Sequence, residues 1–299
     1  MALSLLYRGP LSSCNYACEY CPFAKRKESP VELARDRDAL DRFVSWVEAR
    51  RDETSVFFTP WGEALVRRRY RDAIVRLSHL PHLRRVAIQT NLHAPLDFLR
   101  EAARDRVALW CTYHPDQTSR ARFLARCEAL REMHVRFSVG VVGLREHVDE
   151  AEALRAALPP DVYVWVNAYK RAPAYYDDAT LARLMAVDPL FGWNNVRHPS
   201  RGHACRAGHS VLSVDGDGNA RRCHFTDAPR GNLYDGSLRL DDAPAPCPNA
   251  TCGCHIGYVH LERLRLDRVF GDGLLERIPN APLSRSDAAR ASGASDRRG

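Results

Sequence analysis

The chain has almost no lysine and no long apolar run. Its 44 basic residues include only three lysines, Lys25, Lys27 and Lys170. The formal net charge of +7 therefore rests on arginine, and the arginines alternate with acids, as in residues 35–38 and 101–106. This pattern is typical of solvated helix faces and argues against a nucleic-acid partner. Nothing approaches a membrane span, and residues 8–10 interrupt what a signal peptide would need. With 45% hydrophobic residues, the sequence predicts a cytoplasmic globular protein with no membrane partner.

Cysteine, in contrast, is abundant and clustered. A first group within eight residues consists of Cys14, Cys18 and Cys21, and a second group consists of Cys205, Cys223, Cys247, Cys252 and Cys254. In a reducing compartment, clustered thiols are more often metal ligands or redox groups than disulfides. A structural zinc site pairs two short Cys/His knuckles, whereas the first group has no fourth cysteine nearby. Three thiolates leave one iron of a [4Fe–4S] cube open to a substrate or cofactor.

The chain alternates short β-branched or aromatic runs with helical patterns, which is typical of consecutive βα units around a parallel sheet. Strands are predicted over 3–8, 54–59, 85–90, 106–113, 135–142 and 162–167, and helices over 36–51, 67–77, 95–104, 119–133 and 146–157. Six repeats are too few for a closed eight-stranded barrel. We therefore expect an α/β fold with an open, partial (β/α)6 barrel and functional loops at the carboxyl ends of its strands.

The pattern changes beyond Pro199. A hairpin is predicted from strands 210–214 and 220–225, within a small β-rich, cysteine-rich domain. We predict a barrel over 1–199, this small domain over 200–265, and a helix with a tail over 266–299. From Asn280 onward the chain has almost no large apolar residue, which predicts disorder.

The first cysteine group has the spacing CxxxCxxC directly after the first predicted strand, with Tyr20 before its last cysteine. This motif resembles the signature of the radical S-adenosylmethionine (radical SAM) enzymes. The resemblance implies that the three cysteines hold a [4Fe–4S] cluster whose fourth iron binds SAM, and that Tyr20 contacts the cofactor. Reductive cleavage of SAM would then yield a 5′-deoxyadenosyl radical. The cofactor would carry the radical chemistry, and the protein would supply thiolates, orientation and exclusion of water.

Three further strand ends fit the same family. The segment after the second strand ends in Gly62 and Glu63, similar to the family's GGE motif, although Trp61 replaces its first glycine. The resemblance implies that Gly62 and Glu63 bind the amino group of SAM. Asn91 ends the third strand in a Thr-Asn step that resembles one common at this place in the family. Asn167 ends the sixth strand, where relatives often contact adenine or ribose. The alternative for both asparagines is an ordinary turn residue.

The second cysteine group is similar to the SPASM or twitch domain, which carries auxiliary iron–sulfur clusters. Cys205, Gly218 and Cys223 match its CxnGx4C pattern, and residues 231–238 resemble the segment that follows. A full SPASM domain has seven cysteines, whereas this group has five. Because four thiolates complete one cube, we expect one auxiliary [4Fe–4S] cluster. Which of the last three cysteines is spare stays open, and zinc is the structural alternative.

Together these resemblances imply a radical SAM oxidoreductase or maturase that removes a hydrogen atom from a peptide or protein side chain. Its partners would be SAM, that substrate, and an electron donor such as flavodoxin or ferredoxin. His114 ends the fourth strand and could bind substrate or move a proton, or simply cap a loop. Two alternatives are the same chemistry as a dehydrogenase or epimerase of a small molecule, and a zinc-stabilised binding module without enzymatic activity.

Overall fold

A computed structural model describes residues 2–23, 26–281 and 283. Its strands are β1 (Leu3–Arg8), β2 (Thr54–Phe58), β3 (Leu83–Thr90), β4 (Val107–Tyr113), β5 (Arg136–Gly143), β6 (Val164–Ala168), β7 (His198–Pro199), β8 (Ala204–Cys205), β9 (Val211–Asp215), β10 (Asn219–Arg221), β11 (Pro229–Asn232), β12 (Ala245–Pro246) and β13 (Thr251–Cys252). The α-helices are α1 (Pro30–Ala49), α2 (Arg68–Ser78), α3 (Arg120–Glu132), α4 (Val148–Ala157), α5 (Asp178–Val187), α6 (Phe191–Asn194), α7 (His255–Tyr258) and α8 (Asp267–Phe270). None of the helices in this part of the chain combines the length and apolar character that a membrane crossing requires. The tail predicted to be disordered lies outside the described residues from position 284 onward.

Strands β1 to β6 lie side by side in chain order and are all parallel, which confirms the predicted α/β fold. Side chains alternate across each strand, so Leu5 and Tyr7 pack outward against the helices while Leu6 packs on the inner face. Since the strands are parallel, their carboxyl ends meet at one edge of the sheet. The loops that follow β1, β2, β3 and β4 therefore lie close together.

One predicted element is wrong. The segment 95–104 forms short 3₁₀ turns at Asp97–Arg100 and Arg104–Arg106 in place of an α-helix. Leu96 and Leu99 are both buried, and their three-residue spacing suits a 3₁₀ turn, in which residues three apart lie on the same face.

The predicted hairpin joins the main sheet. Strand β9 pairs in parallel with β1, from Ser4 opposite Val211 to Arg8 opposite Asp215, and β10 and β11 extend the sheet further. Two short antiparallel ladders, β8 with β12 and β7 with β13, carry cysteines of the second group. The cysteine-rich region is thus continuous with the sheet that carries the first group.

The carboxyl-terminal segment covers the inner face of the sheet near the amino ends of its strands. The buried Arg277 lies over the rings of Trp110 and Trp165, at 5.4 and 4.7 Å. Beside it, the Ser138 hydroxyl donates a 2.6 Å hydrogen bond to the backbone oxygen of Glu276. The inner face is therefore filled at this end, and the opposite end carries the cysteine loops.

Candidate functional site

The loop between β1 and α1, which we call the cysteine loop (residues 9–29), carries the first three thiols. Two acids fix its backbone. Asp36 on α1 accepts a 3.1 Å hydrogen bond from the amide of Leu11, and Glu28 accepts one of 2.6 Å from the amide of Ser13. Although burial opposes it, these serine hydrogen bonds lower the pKa of Glu28. The loop is therefore shaped by hydrogen bonds to two acidic side chains before any cofactor binds.

All three thiols of this loop line one cavity of about 210 Å³ at the carboxyl edge of the sheet. Its other walls come from the ends of β2, β3 and β4 and include Trp61, Gly62, Glu63, Gln89, Thr90, Asn91, Thr112 and His114. Burial raises the pKa of Cys14 to about 11, and the neighbouring Glu63, Cys18 and Cys21 also raise it. Binding of a metal cluster would therefore release a proton from Cys14.

Gly62 is required by a close approach between two loops. A Cβ atom at this position would lie 1.8 Å from the backbone oxygen of Ser13. The next amide, that of Glu63, donates a 3.1 Å hydrogen bond to the same oxygen. No side chain larger than hydrogen fits here, so the loop after β2 is held directly against the cysteine loop.

Glu63 is buried and links the ends of two strands. Its carboxylate accepts hydrogen bonds from the Thr90 hydroxyl at 2.9 Å and from the Asn91 amide at 2.5 Å. Burial nonetheless raises its pKa to about 7. Leu92, which follows, has φ of +59°, a strained conformation for a residue with a branched side chain. A buried acid that titrates near neutrality beside an open cavity can bind a cation there.

His114 contacts the cysteine loop directly. Its Nδ1 atom lies 2.7 Å from the Tyr20 hydroxyl and 3.4 Å from Cys18 Sγ. Burial and the neighbouring His147 lower the pKa of His114 to about 4, so the imidazole is neutral at pH 7. His114 therefore lines the cavity and fixes the ring of Tyr20.

The two predicted asparagines differ in position. Asn91 lines the cavity, and its side chain donates a 3.0 Å hydrogen bond to the side chain of Asn15 in the cysteine loop. Asn167 is exposed on β6 and lies outside the lining of this cavity. Its contact with a cofactor stays a prediction.

The second cysteine group is brought together by short ladders and one buried arginine. Cys205 lies in β8, Cys223 follows β10, Cys247 follows β12, Cys252 lies in β13 and Cys254 precedes α7. Arg222 donates to the backbone oxygens of Ala207 at 2.7 Å and Pro246 at 2.5 Å. Because these acceptors lie close to Cys205 and Cys247 in the chain, one guanidinium ties three cysteine segments together.

Sequence reasoning missed several contacts around both groups. Gln117 accepts a 2.9 Å hydrogen bond from the amide of Ala17 in the cysteine loop, and the buried His147 pairs with Asp116 at 3.1 Å. The sequence did contain a signal for two further residues near the cysteines. Arg8 and Lys170 are cations directly at the ends of apolar strands, and Lys170 is one of only three lysines.

Within residues 2–23, 26–281 and 283, no group of three or more His, Cys, Asp and Glu side chains is arranged to hold one metal ion. The first three thiols are instead spread around their cavity. In a [4Fe–4S] cube each thiolate binds a different iron. The soft donor set, the tight approach at Gly62 and the buried acid Glu63 therefore fit an iron–sulfur cluster with a bound cofactor.

Comparisons with known proteins bear on the family and on the fold. Residues 10–158 match the Radical SAM superfamily. The structure of native anSMEcpe with bound AdoMet is similar in fold, with a TM-score of 0.55 at 12% identity over 98% of this chain and 96% of that one. Native anSMEcpe with bound AdoMet and Kp18Cys peptide gives a TM-score of 0.56 at 12% identity over 99% and 96%. No curated protein matches the chain.

Proposed function

We propose that the chain cleaves SAM reductively at a [4Fe–4S] cluster held by Cys14, Cys18 and Cys21, and that it removes a hydrogen atom from a peptide or protein side chain. The match of residues 10–158 to the Radical SAM superfamily supports this proposal. When bound, the cluster and SAM supply the electron and the 5′-deoxyadenosyl radical. The observation that carries this proposal is the shared cavity, in which all three thiols meet Gly62 and Glu63.

The residues around the cavity have separate roles in this proposal. Glu63, in its ionised form, binds the amino group of SAM, and Gly62 keeps its loop against the cysteine loop. Tyr20, Asn91 and Asn167 contact the cofactor. The neutral imidazole of His114 orients Tyr20, so we assign His114 a positioning role before any role in proton transfer.

The second cysteine group holds one auxiliary [4Fe–4S] cluster in this proposal. Cys205 and Cys223 supply two thiolates, and two of Cys247, Cys252 and Cys254 supply the others. The support is the grouping of these segments by Arg222 and by the two short ladders.

A peptide or protein substrate is favoured by the fold shared with anSMEcpe, which was solved with AdoMet and a peptide. The inner face of the sheet is filled near the amino ends of its strands. A substrate therefore approaches from the edge that carries the cysteine loops. The electron donor in this proposal is flavodoxin or ferredoxin, and the enzyme acts in the cytoplasm.

The proposal is tested by anaerobic purification and reconstitution, followed by iron, sulfide and zinc analysis and EPR spectroscopy with and without SAM. We expect about eight iron atoms per chain, an EPR signal that SAM alters, and 5′-deoxyadenosine after addition of a reductant. The variant Cys127→Ala, which changes a buried cysteine outside both groups, serves as the control. Zinc without iron after careful reconstitution would refute the radical mechanism.

A further inference from the structure

Two partly buried cationic side chains lie beside the second cysteine group. The first is Lys170, just after β6. Its Nζ atom donates hydrogen bonds to the backbone oxygens of Asn194 and Gly253, the latter at 2.5 Å. Gly253 lies between Cys252 and Cys254 in the chain, so this ammonium group is fixed beside two thiols.

The second cation is Arg8, at the end of β1. Its Nε atom donates a 2.8 Å hydrogen bond to the backbone oxygen of Thr59, and its guanidinium lies 4.2 Å above the ring of Trp61. The Thr59 hydroxyl is 3.2 Å from Nε2 of His224, the residue that follows Cys223. Arg8 is therefore held between the wall of the first cavity and the second cysteine group.

Neither cation has a carboxylate partner among the residues that the structure describes. The groups that could carry the opposing charge are thiols. Burial lowers the pKa of Lys170 to about 8, and Cys254 is the largest opposing influence. Burial lowers the pKa of Arg8 to about 10, and here Cys254 and Cys223 oppose it. Because a desolvated charge without a partner is costly, the position of both cations favours a negatively charged group at the second cysteine group.

We propose that Arg8 and Lys170 are positioning residues that compensate the negative charge of the cluster at the second cysteine group and raise its reduction potential. This inference rests on the auxiliary cluster of the proposed function. Reduction adds one negative charge to the cluster. A nearby cation in a poorly solvated setting stabilises the reduced form more than the oxidised form.

The test uses the full chain with Cys14, Cys18 and Cys21 changed to alanine, so that only the second cluster is loaded. Its potential is measured by EPR-monitored redox titration. We expect Lys170→Gln and Arg8→Gln to shift the potential to more negative values. The charge-preserving Lys170→Arg and Arg8→Lys should stay near the parent. Arg35→Gln removes the same charge from an exposed ion pair with Asp217 and should leave the potential unchanged.

The outcomes separate the two proposals. If the triple alanine variant binds no iron before any cation is changed, the auxiliary cluster itself is refuted. If iron binds and the glutamine variants keep the parent potential, only the role of the cations is overturned. Loss of iron in a glutamine variant but not in its charge-preserving counterpart supports a role for the positive charge at that position. Equal loss of iron in the glutamine variant and in its charge-preserving counterpart would contradict that role.

Discussion

The two cysteine groups use the same ligand in opposite surroundings. The first group lines an open cavity together with an acid, Glu63, and a neutral imidazole, His114. The second group lies on short ladders that Arg222 ties together, and the cations Arg8 and Lys170 face it. The first environment leaves room for an exchangeable, positively charged cofactor group. In the proposed function, the second supplies charge to a cluster whose ligands all come from the chain.

This difference follows from the elements that hold each group. The first loop leaves the carboxyl end of β1, where parallel strands deliver polar residues from neighbouring loops to the same edge. The second group lies in segments that pair through only two residues each, so its geometry depends on side-chain contacts more than on a backbone ladder. Substitutions should therefore affect the two groups differently.

The largest expected effect separates the groups by function. Cys14→Ser should abolish SAM cleavage and lower the iron content from about eight to about four atoms per chain, because the first cluster loses a ligand. Cys205→Ser should lower the iron by a similar amount yet still allow SAM cleavage. Iron analysis and the yield of 5′-deoxyadenosine measure the two effects. Equal loss of SAM cleavage in both variants would contradict the proposal that only the first cluster cleaves SAM.

The next effect concerns the arginine that ties the second group together. Arg222→Met would remove the donor from three backbone oxygens, those of Ala207, Ala245 and Pro246. We therefore expect a loss of about 3 kcal/mol in the free energy of unfolding and a loss of iron from the second cluster. Denaturant unfolding and iron analysis measure these losses.

The neighbouring Arg221 provides the matched control, since its ion pair with Asp227 is exposed. Arg221→Met should change stability by no more than about 0.5 kcal/mol. Similar losses in both variants would show that Arg222 does not organise the second group.

Much of the first group could be predicted from the sequence because its residues are tied to strand ends. Gly62, Glu63 and Asn91 each follow a strand that was predicted within a few residues, and parallel strands bring their ends together. The contacts of Gln117 and His147 could not be predicted in this way. They depend on how far side chains reach between loops whose conformations no periodic pattern fixes.

The second group shows where sequence reasoning stops. Its cysteines were identified, but the joining of β9 to β1 and the bridging by Arg222 depend on contacts between distant segments. The packing of Arg277 on the inner face was also missed, because a single arginine in a polar segment is typical of a surface residue.

A smaller effect tests the acid of the first cavity. Glu63→Gln removes the charge that would face the amino group of SAM, so we expect SAM to bind about tenfold to a hundredfold more weakly. In the parent protein, Glu63 holds a proton below its pKa of about 7, and binding must release it. SAM affinity should therefore fall by up to about tenfold per pH unit below that value.

The pH dependence should disappear in Glu63→Gln, and SAM titrations followed by EPR from pH 6 to 8 measure it. Glu19→Gln makes the same chemical change at an exposed position of the cysteine loop and should behave as the parent. A pH profile that persists in Glu63→Gln would assign the titration to another group.

The smallest expected effect tests the hydrogen bond between Tyr20 of the cysteine loop and His114. Tyr20→Phe keeps the ring but removes the 2.7 Å hydrogen bond to His114, which should cost about 1 kcal/mol and weaken SAM binding by about fivefold. Tyr169→Phe changes a tyrosine whose ring packs on Tyr175 after β6, away from the cysteine loop, and should leave the affinity unchanged. Iron content should stay the same in both, because the thiols are untouched. If Tyr20→Phe binds SAM as tightly as Tyr169→Phe, the hydrogen bond between Tyr20 and His114 does not shape the SAM site.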